Sequence, residues 1–130
     1  MGTKGYYAFK YKNIYFVFYV SHDAYLRALG DEIVRDLPML DISEIKQALE
    51  FIPFSYELTE GEVYYPGLSV AVYSYDSFSY FTTEKLPSAW YVYIVDLDDM
   101  AFIVMADDNT YEFKLKISDL PSDLSQLNEY

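Results

Sequence analysis

The residue types of a catalytic triad occur side by side at positions 21–23, where Ser21 and Asp23 flank His22, the only histidine of the chain. Adjacent residues do not face each other in a strand or a helix, so proximity in sequence does not make these three a triad. His22 is still a candidate general base, with Asp23 and Tyr25 lining a pocket at the start of a predicted helix. The interpretation we favour is that His22 and Asp23 cap the helix or lie on the surface.

A second group of potential ligands is the carboxylate run Asp96, Asp98 and Asp99, which is similar to the start of a calcium-binding loop. The glycine and the distal glutamate of such a loop are missing, so the run predicts a β-turn. One histidine and no cysteine exclude the usual zinc sites. The chain also has no G-x-G phosphate cradle. We therefore expect neither a metal nor a cofactor.

Charge gives the main indication of a partner. The 130 residues include 21 acidic and 9 basic side chains, for a formal net charge of −12. Residues 51–112 contribute eleven acids against Lys85 alone. Such a protein is repelled by nucleic acid and by anionic membranes. The charge pattern therefore predicts that the protein docks on a basic protein surface, as an inhibitor that mimics the charge of nucleic acid does. The candidate partner-binding residues are Glu57, Glu60, Glu62, Asp96, Asp98, Asp99, Asp107 and Asp108. Acids placed at turns for solubility are the alternative interpretation.

Aromatic residues are the other unusual feature, at 20% of the chain with Tyr 16, Phe 9 and Trp 1. So short a chain is not expected to bury all of these rings in one monomer, and tyrosine is enriched at protein interfaces. Base stacking would require basic residues among the rings, and these are scarce. The composition therefore predicts a homo-oligomer, with a homodimer as the favoured form, or a surface that contacts a partner protein. The candidate self-association residues are Tyr7, Phe9, Tyr11, Tyr15 and Tyr19.

The elements that position these residues follow from periodicity. Residues 5–11 and 14–20 predict a β-hairpin around Lys12-Asn13. Both faces of its second strand are apolar, which favours a helix on one side and a partner subunit on the other. Residues 22–36 and 42–50 predict helices; Pro38 ends the first, Pro53 ends the second, and Asp41 with Glu44 has capping-box spacing. Residues 89–95, 100–106 and 110–117 predict a three-strand antiparallel meander.

The predicted fold is therefore α+β. An antiparallel sheet, made of the N-terminal hairpin and the C-terminal three-strand meander, carries two helices packed on one face. Residues 1–117 form the single domain and residues 118–130 a polar tail. No apolar run approaches the roughly 18 to 20 residues of a spanning helix, so we expect a soluble, intracellular protein that does not bind membranes.

Several short motifs resemble a family of small uncharacterised fungal and viral proteins. The chain opens Met1-Gly2-Thr3-Lys4-Gly5, as that family opens M-G-T-[RK]-G, and then carries Asp23-Ala24-Tyr25 and Leu29-Gly30. Val20 and Ser21 stand where the family has Asn-His. Tyr93 to Asp98, Phe102 and Leu120-Pro121 resemble its later strands. The resemblance implies no function. The absence of cysteine, together with abundant Tyr and Ile, suits a protein from a hot habitat, and a viral one would act in the host cytoplasm.

These observations favour a small non-enzymatic interaction protein that forms a homodimer and binds a basic protein. The alternative hypothesis is a hydrolase-like enzyme that uses the pocket of His22, Asp23 and Tyr25.

Overall fold

The computed structural model describes residues 5–20, 24–59, 78–84, 86, 89–106, 111–121 and 124, with the backbone alone for 18–20, 51–59, 78–81 and 111. The strands are β1 (Gly5–Tyr11), β2 (Ile14–Val20), β3 (Phe78–Thr82), β4 (Tyr91–Asp96), β5 (Ala101–Ala106) and β6 (Tyr111–Lys116). The helices are α1 (Asp31–Asp36) and α2 (Ile42–Thr59). A π-helical turn spans Leu26–Gly30, and short 3-10 turns span Leu37–Met39 and Ile117–Asp119.

The described strands form one mixed sheet in the order β3-β2-β1-β4-β5-β6. β1 and β4 are parallel, and the other neighbours are antiparallel. The α+β class is confirmed, but the expectation of a purely antiparallel sheet is wrong. A parallel pair needs a long crossover, and the connection between β2 and β4 supplies it because it contains both helices.

The N-terminal hairpin forms as predicted, with Tyr11 opposite Ile14 across a two-residue turn. Lys12 and Asn13 have positive φ angles of 54° and 62°. Positive φ at both central positions matches the turn type that follows the right-handed twist of paired strands.

The predicted meander is also present, as β4, β5 and β6 in antiparallel register. Tyr93 pairs with Val104, which pairs in turn with Phe113. On β6, Glu112, Lys114 and Lys116 are exposed, whereas Phe113 and Leu115 are partly buried. This alternation is the half-buried pattern from which the strand was predicted.

The first predicted helix, 22–36, is interrupted. Ala24 and Tyr25 are not helical, and the π-helical turn precedes α1. A Cβ added at Gly30 would lie 2.7 Å from Leu124 Cδ1 and 3.2 Å from Tyr93 Cε1, so this turn packs closely on β4. His22 and Asp23, which were predicted to cap this helix or lie on the surface, are outside the described residues.

The second helix begins as predicted but ends later. Asp41 Oδ1 accepts a hydrogen bond of 3.2 Å from the Glu44 N–H, which is the capping contact expected from their spacing. The prediction that Pro53 ends this helix is wrong, because α2 continues to Thr59. Proline removes one backbone hydrogen bond, and a helix absorbs that loss by bending locally.

The described residues form two buried clusters. The larger one joins Tyr7, Tyr93 and Phe102 of the sheet to Leu29 and Leu49 of the helical segments. The smaller one contains Ala8, Val17, Leu86, Val92 and Ile94. These residues alternate with the first set along β1 and β4, as the two faces of a sheet require.

The predicted polar tail contributes to the larger cluster. Leu124 is fully buried, and its backbone N–H donates a 2.8 Å hydrogen bond to Asp31 Oδ1. Leu120 packs against the same cluster. The packed domain therefore extends beyond residue 117, where it was predicted to end. The pattern missed this because Leu124 has no apolar periodicity around it and still packs in the core.

Candidate functional site

The carboxylate run at the end of β4 forms a turn, as predicted, but its first member is buried. Asp96 is 2% exposed. Its Oδ1 accepts hydrogen bonds of 3.0 Å from the N–H groups of both Asp98 and Asp99, and its Oδ2 lies 3.9 Å from Lys10 Nζ. An aspartate that accepts from the backbone two and three residues later is a turn-forming side chain. Asp96 was predicted to contact a partner, and its burial corrects that prediction.

Asp98 connects this turn to the N-terminal hairpin. Its carboxylate accepts from Lys12 N at 2.8 Å and from Asn13 N at 3.1 Å. Nearby, Leu97 N donates to Lys10 O at 2.8 Å. The two turns lie at the same end of the sheet because β1 and β4 are parallel neighbours. Asp98 is exposed, but both of its oxygens hold the positive-φ turn in place.

Asp99, the third carboxylate of the run, lies at the surface. Its side chain is 62% exposed, and its Oδ2 lies 3.7 Å from Lys114 Nζ. The remaining candidate partner-binding residues give no geometry: Asp107, Asp108, Glu60 and Glu62 lie outside the described residues, and only the backbone of Glu57 is described. The structure thus brings three of the eight predicted residues together, in a turn where each carboxylate already has a polar partner.

A second polar cluster, which the sequence patterns did not indicate, joins the hairpin turn to α2. Glu50 Oε1 accepts from Tyr11 Oη at 3.1 Å and from Lys12 Nζ. Lys46 Nζ lies 5.8 Å from the centroid of the Tyr11 ring. The hydrogen bond from Lys12 holds the pKa of the Glu50 carboxyl below its usual value. That same hydrogen bond raises the pKa of Lys12. Lys12 and Glu50 are exposed and Tyr11 is half-buried, and the hydrogen bonds among them make the cluster a brace between the hairpin turn and α2.

The predicted self-association residues divide into a buried and a partly exposed set. Tyr7 and Phe9 are 1% and 0% exposed within a single chain, so they are core residues and their assignment to an interface is corrected. The reason is that β1 lies inside the sheet, where its odd-numbered residues face the larger cluster. Tyr11 and Tyr15 are half-buried, and for Tyr19 only the backbone is described.

The second face of the sheet does not need a partner subunit to bury it. Ala8, Val17 and Val92 are 0% exposed in the single chain. Leu86 is buried with them, and Ala89 packs against the same cluster. The chain itself therefore covers the centre of this face, contrary to the expectation from its two apolar faces.

Buried tyrosines hold the sheet to the segment that leads into the π-helical turn. Tyr93 Oη donates a 2.5 Å hydrogen bond to Ala24 O. Burial raises the pKa of Tyr93 and that of Tyr7 well above the ordinary tyrosine value. Both hydroxyls are therefore neutral at physiological pH and act in packing.

The predicted pocket of the alternative hydrolase is not assembled by the described residues. His22 and Asp23 lie outside them, and Tyr25 is 40% exposed with its carbonyl accepting from Ala28 N at 3.0 Å. One surface depression of about 400 Å³ is lined by residues between Lys114 and Pro121. Another of about 420 Å³ is lined by Ile14, Thr82, Thr83 and Glu84. Neither includes Tyr25. Within the described ranges, no three His, Cys, Asp or Glu side chains group as a metal site.

Comparisons of the chain with protein-family models, with curated proteins and with solved structures found no match. The resemblance carried by the M-G-T-[RK]-G opening thus stays a prediction. In the part of the chain that the structure describes, no helix is both long and apolar enough to cross a membrane. Function must be inferred from the charge and geometry of the chain itself.

Proposed function

We propose that the protein is a small non-enzymatic interaction module that binds a basic protein surface, of the kind that otherwise holds nucleic acid. One observation carries this proposal: in the part of the chain that the structure describes, five basic side chains lie within 3.9 Å of carboxylates of the same chain. The pairs are Lys10–Asp96, Lys12–Glu50, Arg27–Asp31, Arg35–Asp36 and Lys114–Asp99. With 21 acids against 9 bases, internal pairing leaves a surplus of carboxylates.

Exposed carboxylates outside those pairs are spread over several elements. Glu44 lies in the first turn of α2, Glu84 follows β3, and Asp119 lies in the 3-10 turn after β6. Charges distributed in this way act chiefly through the summed field, which accelerates encounter with a cationic partner and repels anionic ones. We therefore expect the surplus charge to set the association rate more than the lifetime of the complex.

The test is a surface-binding measurement against a panel of purified, basic DNA-binding domains, with a near-neutral protein of similar size as reference. The triple variant Glu44→Gln, Glu84→Gln, Asp119→Asn lowers the negative charge by three. The matched control, Ser43→Ala, Thr83→Ala, Ser118→Ala, changes exposed neighbours and leaves the charge unaltered.

We expect one or more basic domains to bind at about 50 mM salt, to weaken as salt rises, and to be displaced by duplex DNA. The triple variant should associate at least about 3-fold more slowly, while the control associates like the original chain. The proposal fails if no basic domain binds above the reference protein. It also fails if the triple variant associates as fast as the control.

The proposal includes three finer points about the molecule. The helical segments cover one face of the sheet, which is supported by the shared cluster of Leu29, Ile33, Ile45 and Leu49 with Tyr7. The protein acts inside the cell, where basic nucleic-acid-binding proteins are abundant. It also works as a homodimer, although not through the buried rings of the N-terminal hairpin.

A further inference from the structure

The strand β6 lies at one end of the sheet and pairs with β5 on one side only, within the described residues. An edge strand offers a row of backbone donors and acceptors to another strand, and extended segments commonly add to such an edge. Glu112, Lys114 and Lys116 are exposed on one face of β6. Phe113 and Leu115 are partly buried on the other.

The charges on β6 restrict how it could pair with a second copy. When two copies of a strand pair antiparallel about a two-fold axis normal to the sheet, one residue lies opposite itself and its neighbours pair crosswise on the same face. If the axis passes through Glu112, the two copies of Glu112 lie opposite each other. If it passes through Lys114, the two copies of Lys114 do so. If it passes through Leu115, Lys114 of each copy lies opposite Lys116 of the other. Only an axis at Phe113, among these four positions, avoids every contact between like charges.

The Phe113 axis also makes two favourable contacts. Glu112 lies opposite Lys114 of the second copy, and Lys114 lies opposite its Glu112. On the other face Phe113 lies opposite its own copy. Aromatic and opposite-charge cross-strand pairs both stabilise antiparallel pairing.

We propose that two copies of the chain pair antiparallel through β6 about Phe113, which joins their sheets into one. The inference rests on the proposed self-association and not on the basic partner. Backbone hydrogen bonds supply the affinity, and the charges select the register because the wrong registers bring like charges together. Lys114 would then lie between Asp99 of its own chain, 3.7 Å away, and the second copy's Glu112.

A charge swap tests this register by sedimentation velocity and light scattering. The original chain should have twice the mass of the 15.2 kDa monomer. Glu112→Lys places lysines opposite each other at two points, and we expect dimerisation to weaken by about 10-fold or more. The double variant Glu112→Lys, Lys114→Glu restores opposite charges at both points and should restore the dimer. Glu84→Lys makes the same charge change after β3 and should leave the dimer intact.

The possible failures are distinguishable. If the original chain is a monomer at about 100 μM, which is well above the dissociation constants of stable dimers, the self-association itself is refuted. If it is a dimer that Glu112→Lys does not weaken, or that the double variant does not restore, the β6 register is refuted and another surface forms the dimer. Far-UV circular dichroism checks that each variant folds. Should Glu112→Lys not fold, Lys114→Glu alone places glutamates opposite each other and gives the same test.

Discussion

The carboxylate of Asp96 should contribute more to the free energy of unfolding than the exposed carboxylate of Asp99. Asp96→Ala removes the acceptor of two backbone hydrogen bonds of 3.0 Å, from Asp98 N and Asp99 N. It also leaves Lys10, whose side chain is 25% exposed, without its carboxylate at 3.9 Å. Because the lost group is 2% exposed, water cannot take its place without entering the end of the sheet.

The size of the effect follows from these contacts. Hydrogen bonds to a charged group contribute about 1.5–3 kcal/mol each when buried, and both donors here belong to exposed residues that water partly satisfies. Roughly half that value for each of the two bonds, with about 0.5 kcal/mol for the ion pair, gives a loss of about 2–3.5 kcal/mol. Asp96→Asn keeps one oxygen acceptor and should cost about 1–2 kcal/mol. Asp99→Ala breaks only a surface ion pair and should cost about 0–1 kcal/mol.

The assay is equilibrium unfolding in urea, followed by far-UV circular dichroism, on Asp96→Ala, Asp96→Asn and Asp99→Ala. The expected order of stability is Asp99→Ala, then Asp96→Asn, then Asp96→Ala as the least stable. If the free energy of unfolding of Asp96→Ala lies within about 0.5 kcal/mol of that of Asp99→Ala, Asp96 does not hold the turn and the reasoning is refuted. Asp96→Asn removes one negative charge, so it should slow association with a basic partner no more than a single exposed substitution such as Glu84→Gln does.

Three further outcomes are expected. Leu124→Ala should lower the free energy of unfolding in urea by about 2–4 kcal/mol, because Leu124 is fully buried; a change below about 0.5 kcal/mol would contradict its place in the core. Burial raises the folded-state pKa of Tyr7 and Tyr93, so the contribution of these two hydroxyls to stability should be level below pH 10 and be lost as pH rises above it. Their ionisation, followed by absorbance at 295 nm, should coincide with unfolding, and ionisation in the folded protein would contradict this. The hydrogen bond from Lys12 lowers the folded-state pKa of Glu50. The contribution of Glu50 to the free energy of unfolding should therefore be complete above the ordinary carboxyl pKa and be lost as pH falls below it. An NMR titration of Glu50 should therefore have its midpoint below 4.5 and shift upward in Lys12→Met.

Local patterns predicted the features of this fold that depend on local chemistry. The positive φ angles of Lys12 and Asn13 and the contact from Glu44 N to Asp41 Oδ1 follow from residues adjacent or three apart in sequence. Strand alternation predicted the hairpin and the meander in the same way. Alternation has the same period in parallel and antiparallel strands, so it carries no information on how β1 and β4 pair.

The parts that were not predicted depend on contacts between distant segments. Asp98 accepts a hydrogen bond from Lys12 N, which is 86 positions away in the sequence. Leu124 N donates one to Asp31, which is 93 positions away. Sequence alone identified Asp96, Asp98 and Asp99 as turn-forming and as candidate partner contacts, and it offered no means of telling which carboxylate would be buried. That distinction requires the parallel pairing, which brings the two turns to one end of the sheet.

Some carboxylates of this chain hold a turn in place, whereas others are exposed and can attract a basic partner, and the two groups should respond differently to substitution. A carboxylate that already accepts from the backbone, as Asp96 and Asp98 do, must give up those bonds to meet a partner's lysine directly, and the turn opposes that exchange. An exposed carboxylate such as Glu84 or Asp119 can contribute to attraction without such a loss. A substitution at the turn should therefore lower stability, and its effect on the rate of association should be only that of the single charge it removes. Substitutions at the exposed acids should change that rate with little effect on stability.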